Sequence, residues 1–586
     1  MRLRAVLAFA AALTLAASAR AQRIAATPAA PIVAAFPADA PPMEVQIALQ
    51  VLVDSSGRVE SAVVVGRAPS DAPDVFADAA VRAVKATAFT PSTVDGRAVR
   101  SRIEWIVAFQ PPIVTTTRTP KKVTVAKRFT PEENTTEDVE IHGVGWPSSR
   151  GIGDVRVKRE LLDAAPHQQT SEMLSAAPGF FVDHEDGEGI GNDVYLRGFD
   201  LDHGSGIEMR VGSIPINVPL HIQGQGYADA NFIIPEVVRG IRVLAGTYDP
   251  RQGDAAIVGS AYFDLGVIER GTQLRTTYGS FDQARVLGIV APRDVPEETF
   301  AAFAVRHTDG FGSNRAGTSA SANAQYGVDL GPYDHLRLIA TGYAARFALA
   351  GVVRQDDVDA GRIGFTDSYQ NFGENQSVQS ERVVLGADFD HETRGGGRFE
   401  FEPFFTWTDF RARQNFTGAL ETSQENPALS GLGDLFESTN TESAAGLTSR
   451  YHFAPTQLAK HVELVTEPGI FVRAGHTDQS KSLLVPSTLA PWDHRLAYGV
   501  DSIDAAGYVD FDLRLFEKLR ISGGVRADYL GVSIHDELAD SRRGAGDVVV
   551  GPRVSIEYRA TKALAVAASY GEGFRSLAPS AIRDGG

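Results

Sequence analysis

The 586-residue chain contains no cysteine, and tryptophan and methionine occur only four times each. A cysteine-free chain of this size suits an oxidising compartment, where stray thiols would cross-link. The formal net charge of −17 argues against nucleic acid as a partner, because phosphate binding needs clustered Lys and Arg. Beyond the first residues, no stretch is apolar and long enough for a spanning helix, so any membrane residence must come from strands.

The chain also lacks the signatures of common enzymes. The sequence holds no Ser-His-Asp order, no phosphate loop and no cysteine cluster, so we expect no catalytic residue, cofactor or metal. One acidic loop comes closest to a metal site, but its ligands lack the order of a hard-cation loop, and a solvated loop is expected. Its members are Asp183, His184, Glu185, Asp186 and Glu188.

The N-terminus has the pattern of a secretory signal peptide. Arg2 and Arg4 precede an apolar run over residues 5–17, and small residues flank Arg20. The run is shorter than the roughly 20 residues that span a bilayer as a helix, which argues against a membrane anchor. We therefore expect a signal peptide over residues 1–21, with cleavage before Gln22.

A small α+β domain is predicted over residues 43–110, after an Ala/Pro-rich spacer at 22–42. Two β-rich runs flank a Ser-Ser-Gly turn, apolar residues follow at helical spacing over 72–87, and SRIEWIVAF supplies a third strand. This order resembles the C-terminal domain of TonB-type energy transducers. A true transducer carries this domain after an inner-membrane helix. Here it would either hold the chain's own coupling segment or pair with another transducer.

Residues 111–145 form a polar linker with two short β-prone segments, either of which could add as a strand to a partner's sheet edge. Both segments resemble the TonB box that TonB-dependent receptors carry just before their plug domain. Position favours the second segment and composition the first, so both remain candidates. The first comprises Ile113, Val114, Thr115, Thr116, Thr117 and Arg118, and the second Val139, Glu140, Ile141, His142, Gly143 and Val144.

Residues 146–266 resemble the plug of a TonB-dependent outer-membrane receptor. A helical pattern through 170–177 stops at Pro178-Gly179, and NDVYLRGFD follows. In YLRGF, Arg197 and Gly198 form the most recognisable pair of the family. The resemblance implies that Arg197 is buried against carboxylates of a barrel wall and ties the plug to it. An exposed surface arginine is the alternative.

Polar and aromatic side chains around the Gly-rich turns of this segment are candidates for facing a ligand vestibule. They are His203, His221, Gln223, Gln225 and Tyr227.

After residue 266, segments of alternating polarity run to residue 586 and predict about 13 strands of a transmembrane antiparallel β-barrel. The predicted turns GPYD, TRGGGR and FEKL are short, whereas residues 348–377, 415–440 and 478–494 are predicted to be long loops. This asymmetry is typical of outer-membrane barrels, with short periplasmic turns and long extracellular loops. Receptors of this class have about 22 strands, so the chain is expected to be a fragment with a truncated barrel.

The resemblance implies a mainly β protein of the Gram-negative outer membrane, with its N-terminal domain and plug on the periplasmic side. Its function would be energised uptake of a scarce solute, such as a siderophore complex or cobalamin. Implied partners are an inner-membrane TonB-type transducer complex, the barrel-assembly machinery, outer-membrane lipid and an extracellular small molecule. The main alternative is a binding or signalling receptor that relays ligand occupancy through its N-terminal domain. A passive porin is less favoured, because an open pore has no use for a plug.

Overall fold

The chain forms two compact units, residues 1–135 and 136–586. Among the residues that the structure describes, no helix is both long and apolar enough to cross a membrane. The computed structural model describes residues 23–24, 27–28, 36–37, 45–68, 73–94, 97–109, 150, 153–184, 189–224, 226–364, 366–368, 375–415, 434–516, 518–561 and 564–576.

The first unit contains a three-stranded antiparallel sheet covered by one helix. Its elements are β1 (Arg23–Ile24), β2 (Thr27–Pro28), β3 (Val45–Val53), β4 (Val59–Ala68), α1 (Asp74–Ala86), β5 (Phe89–Thr90), β6 (Ser92–Val94), β7 (Arg97–Val99) and β8 (Ser101–Phe109). The sheet order is β4-β3-β8, so the predicted order of two strands, helix and strand is confirmed.

The alternating residues of β3 explain why this unit folds. Val45, Ile47 and Leu49 are fully buried and pack with Phe76 and Val84 of α1 in one apolar cluster. Two short strands of the spacer pair with this unit, β1 with β6 and β2 with β5.

The second unit begins with a mixed domain, residues 150 and 153–265, which we call the plug. Its elements are β9 (Asp154–Lys158), α2 (Arg159–Ala164), a 3₁₀ helix (Ser171–Ala176), β10 (Phe180–Asp183), β11 (Asp193–Leu196), β12 (Phe199–Asp200), β13 (Ile207–Val211), β14 (Ile214–Pro215), a 3₁₀ helix (Pro235–Val237), β15 (Val238–Ala245) and β16 (Gly259–Leu265).

The main plug sheet has the order β14-β13-β16-β15-β9, in which only β13 and β16 run parallel. The helical pattern predicted over 170–177 is a 3₁₀ helix that ends before Pro178. Gly179 then takes a positive φ of 86°, a conformation that favours glycine. The compact mixed domain predicted ahead of the strands is therefore present.

A large antiparallel sheet, which we call the wall, follows the plug. Its strands are β17 (Gly271–Gly279), β18 (Gln283–Ala291), β19 (Phe300–Thr308), β20 (Gly317–Asp329), β21 (Asp334–Ala348), β22 (Ser377–Glu392), β23 (Arg398–Gln414), β24 (Leu435–His452), β25 (Thr456–Ala459), β26 (Val462–Leu484), β27 (Pro491–Leu515), β28 (Leu519–Asp536), β29 (Ser541–Thr561) and β30 (Leu564–Gly571), and α3 (Gln355–Asp359) lies between β21 and β22.

Within the described residues, thirteen wall strands pair in chain order and the short β25 pairs only with β26. The expected count of about 13 strands is confirmed. The short turns predicted at GPYD, TRGGGR and FEKL all lie at one end, which we call the short-loop end. The opposite, long-loop end carries the connections at 349–376 and 415–434.

Two of the predicted long loops are shorter than expected. Residues 435–440 already belong to β24. The segment 478–494 is mostly strand, because β26 extends to Leu484 and β27 starts at Pro491. Polar residues in these segments stay paired with a neighbouring strand, so their composition misled the prediction.

The two faces of the wall reverse the polarity of a soluble protein. In β21, Leu338 is 45% exposed on the outer face, whereas the neighbouring Arg337 is 6% exposed and faces the plug. Exposed apolar residues recur on the outer face of other strands, for example Val472, Val525 and Val550. An apolar exterior around a polar interior is the pattern of a β-barrel in lipid.

The turn between β3 and β4 provides a test of the first unit. Gly57 has a φ of 84°, and a Cβ at this position would overlap the carbonyl oxygen of Phe89. We predict that Gly57→Ala destabilises this unit by about 2 kcal/mol. Hydrogen exchange on the full chain should then show faster exchange in β3 and β8. Ser55→Ala in the same turn is the control, and equal exchange in both variants would contradict the prediction.

Candidate functional site

The plug meets the wall through buried charges near the short-loop end. Arg251, in the loop after β15, donates to Glu467 of β26 through Nε (2.8 Å) and Nη2 (2.7 Å). Its guanidinium also lies 3.2 Å from Asp249 and 3.3 Å from Asp510 of β27. Burial lowers the pKa of Arg251, but the three carboxylates outweigh burial and raise it well above its usual value. Arg251 is therefore charged at any physiological pH.

Asp249 is the common partner of three arginines. Its side chain is 1% exposed and receives Arg251, with Arg150 and Arg242 each 3.6 Å away. Burial raises the pKa of Asp249, but the three guanidinium groups lower it by more than burial raises it, so the net shift is downward. A buried carboxylate without these partners would be strongly unfavourable.

Arg150 is the first described plug residue after the linker, and it is 2% exposed. Its Nη2 donates to Asp510 of the wall. Its backbone N–H donates to Asp154 (2.8 Å), and its carbonyl accepts from Ser555 of β29 (2.9 Å). Asp154 in turn receives a two-pronged bond from Arg242 (2.8 and 2.7 Å). The start of the plug is thus joined to both the plug sheet and the wall.

Wall arginines also donate to plug backbone carbonyls, which are strong acceptors that need partners when buried. These bonds run from Arg382 to Ile216 (3.1 Å), from Arg473 to Asn217 (2.9 Å), and from Arg553 to both Asp249 and Gln252 (2.6 Å each). A cavity of about 430 Å³ lies beside the charge network. The interface therefore combines these polar contacts and an open cavity with an apolar cluster shared by plug and wall, in which Ile214 of the plug and Phe404 and Phe471 of the wall take part.

Arg197 and Gly198 differ from their prediction. They form the tight turn between β11 and β12, where Arg197 has a φ of 52° and both residues are exposed. The Arg197 backbone N–H donates to Gly179 (2.7 Å), and no ion pair of its side chain occurs within the described residues. The prediction that Arg197 is buried against the wall was wrong, because the turn directs the Arg197 side chain to solvent. Arg150 and Arg251 make that contact with the wall instead.

The residues expected to face a ligand vestibule are mostly buried inside the plug. The ring of His221 stacks on Tyr227 with centroids 4.0 Å apart, and Phe410 of β23 packs on the edge of His221 at 4.9 Å. His203 Nδ1 donates to the Gly191 carbonyl (2.7 Å). Burial and the charge of Arg382 lower the pKa of His221 well below its usual value, so its ring is neutral. The prediction for His203, His221 and Tyr227 was wrong, because the Gly-rich turns fold back onto the plug.

Gln223 is half-buried and donates to Gln414 at the long-loop end of β23 (3.1 Å). Gln225 lies outside the described residues, as do both TonB-box candidates at 113–118 and 139–144. Of the predicted acidic loop, Glu185, Asp186 and Glu188 are also outside. Two described groups bring possible metal ligands within 4.8 Å of one another, namely Asp193 with Asp202 and His203, and Asp282 with His307 and Asp309.

Sequence reasoning missed the arginine network because its partners are far apart in the chain. Arg150 and Asp510 are 360 positions apart, and Arg251 and Glu467 are 216 apart. One local signal was available: Asp249 and Arg251 lie in the polar turn TYDPRQGD, which separates two apolar segments of the plug-like sequence.

We predict that Arg251→Met destabilises the protein by about 3 kcal/mol, because three buried carboxylates lose a partner. The midpoint of thermal unfolding in detergent reports the change. The control is Arg514→Met, since Arg514 is half-exposed and its pair with Glu463 should contribute little. Adding Glu467→Met to Arg251→Met should recover part of the loss. Equal shifts in the two single variants would contradict the assignment.

Comparisons with known proteins agree with this architecture. Residues 262–586 match the family described as TonB dependent receptor-like, beta-barrel, and residues 150–260 match the TonB-dependent Receptor Plug Domain. Residues 36–111 match the Gram-negative bacterial TonB protein C-terminal. A comparison with curated proteins gives no match.

Among solved structures, the chain is similar in fold to the ferric citrate transporter FecA in its unliganded form, at 14% identity and a TM-score of 0.61, over 73% of this chain and 64% of that one. It is also similar to the siderophore receptor PiuA from Acinetobacter baumannii, at 12% identity and a TM-score of 0.55, over 73% and 66%. It is similar as well to the copper transporter OprC, at 16% identity and a TM-score of 0.53, over 75% of this chain and 65% of that one.

The chain thus spans less than two thirds of the length of each of these structures. At these identities the likeness concerns the fold alone. The barrel match covers more than half of the 586 residues and the plug match directly precedes it, so the chain belongs to the TonB-dependent receptor family.

Proposed function

We propose that this chain serves the energised uptake of a scarce solute, such as a siderophore complex or cobalamin, across the outer membrane. Its barrel and plug indicate a Gram-negative outer-membrane protein. The short-loop end would face the periplasm and the long-loop end the exterior, as in other outer-membrane barrels. Ferric citrate, siderophores and copper appear in the names of similar structures, which supports a solute of this kind.

The position of Arg150 is the observation that carries the proposal. Both TonB-box candidates precede it in the chain, and Arg150 is the first described residue after them that contacts the wall. A pull on the linker would reach the Arg150 pairs with Asp510 and Asp249 before any other contact of the described plug. Force applied at the short-loop end would therefore act directly on the network that holds the plug in place.

The energy source in this proposal is an inner-membrane TonB-type transducer complex. A box segment of about six residues that adds as a strand would form roughly five hydrogen bonds, each contributing about 1 kcal/mol net. Such a contact is strong enough to pull and weak enough to release. Neither cofactor nor catalytic residue is needed for this function.

The first unit supports a second candidate function, the relay of ligand occupancy. Within the described residues, β8 pairs only with β3 and forms an edge of the sheet, where a partner's strand could be added. A partner strand on this edge would connect the receptor to a signalling or energising protein. Deleting residues 43–110 distinguishes uptake from relay. The deletion should leave uptake intact if the chain serves uptake alone, because uptake alone does not require this unit.

We predict that deleting either 113–118 or 139–144, whichever is the true box, abolishes uptake while ligand binding at the cell surface persists. Binding needs the long-loop end and the plug, whereas coupling needs only the linker strand. Radiolabelled ligand, bound in the cold and then chased at growth temperature, separates binding from entry. Loss of surface binding in both deletions would contradict this division.

The true box can be identified independently, because the chain has no cysteine. Thr115→Cys or Ile141→Cys should form a disulfide with a cysteine placed in the edge strand of the transducer's C-terminal domain. Only the substitution inside the true box should cross-link, and the other serves as its matched control. Cross-linking of neither would count against strand addition as the means of coupling.

A further inference from the structure

A second cavity, of about 290 Å³, lies between the plug and the middle of the wall formed by β26 to β29. We call it the Asp504 cleft, after the carboxylate that faces it from β27. We propose that this cleft binds an organic cation, an ammonium or guanidinium group carried on an apolar body.

Asp504 is the observation that points to a ligand. Its Oδ1 is buried and has no hydrogen-bond partner, and no ion pair of its side chain occurs within the described residues. A buried carboxylate oxygen without a partner is costly and needs an explanation. A cation in the cleft would provide the missing partner.

The neighbouring carboxylate shows what a satisfied group looks like on the same wall. Asp528 of β28 receives three bonds from Arg526, at 2.8, 2.9 and 2.6 Å. Asp504 lies on the adjacent strand, opposite Leu530, and has no such arginine. The wall therefore neutralises one carboxylate internally and leaves the other facing the cavity.

The remaining charges of the cleft leave it acidic. Arg210 is committed to Glu208 through Nε (2.9 Å), and Arg473 to Glu442 (3.0 Å) outside the cleft. Asp254 accepts from the backbone N–H (2.8 Å) and hydroxyl (2.7 Å) of Ser576, which carry no charge. Of the side chains that line the cleft, Asp254, Asp504 and Asp547 then face a single uncommitted cation, the exposed Arg575.

The rest of the lining determines the kind of cation. Pro219, Leu220 and Val532 give the cleft an apolar surface next to the carboxylates. A hard metal ion needs six or more oxygen ligands, which an apolar wall does not supply. An organic cation uses both surfaces, since its charge meets Asp504 and its body displaces water from the apolar side.

The site itself is formed by the plug and wall as they stand and does not depend on energised uptake. Its place on the route of a solute does rest on the proposed function. In that setting the cleft lies between the long-loop end and the larger cavity of the charge network, with Arg210 lining both cavities. A solute with a cationic group would be favoured in passage.

The test uses 4-fluorobenzylammonium as the probe and the full chain purified in detergent, with binding followed by fluorine NMR. We expect saturable binding that weakens at least tenfold in Asp504→Asn, which removes the charge and keeps the shape. Asp540→Asn removes the same charge from a fully exposed side chain at the β28–β29 turn and should bind as the unmodified chain does. The uncharged 4-fluorobenzyl alcohol should not bind.

A second variant keeps the inference testable if Asp504→Asn fails to fold. Ala545 lines the cleft from β29, and Ala545→Phe should block the probe while leaving every carboxylate in place. Absence of saturable binding, or equal binding by Asp504→Asn and Asp540→Asn, would overturn the inference. If the unmodified chain binds the probe but supports no uptake, the cleft inference stands and the proposed function is contradicted.

Discussion

Asp249 is a buried carboxylate that three arginines share, and the fit of the plug in the wall depends on this arrangement. Burying four charged side chains is favourable only if all of them find partners in good geometry. Arg150, Arg242 and Arg251 extend the pairing to Asp154 within the plug and to Glu467 and Asp510 on the wall. Shifting the plug by a few ångströms would break several of these pairs together, so the network fixes one position of the plug.

The same constraint explains the polarity of the wall. Strand alternation places apolar residues outward and charged residues inward, and inward charges are tolerated because the plug and neighbouring wall residues supply their partners. Arg382, Arg473 and Arg553 donate to plug carbonyls, while Arg526 pairs with Asp528 on the wall itself. Asp504 is an exception to this internal pairing, and its cavity is where the chain has room for a charge from outside.

Much of the fold could be predicted from the sequence, because period-2 alternation and turn residues are local signals. The order of elements in the first unit, the plug ahead of the wall and the number of strands all follow from them. Side-chain environment could not be predicted in the same way. The YLRGF pattern indicated the plug but not that Arg197 occupies an exposed turn with positive φ. The Gly-rich segment indicated turns but not that His221 and Tyr227 stack beneath them. The polar run at 478–484 suggested a loop, yet strand pairing continues through it.

Pulling a single molecule by a cysteine placed in the linker with Thr115→Cys, so that the first unit carries no load, and with the barrel held in a lipid bilayer, tests most directly whether the linker acts on the plug through Arg150. The account predicts that the first force peak comes once the linker is extended to residue 150, and that Arg150→Ala lowers this peak. Arg197→Ala, which changes an exposed arginine of the same plug, should leave the peak unchanged. A first peak that is the same in the Arg150 variant would contradict the account, as would a peak that falls equally in both variants.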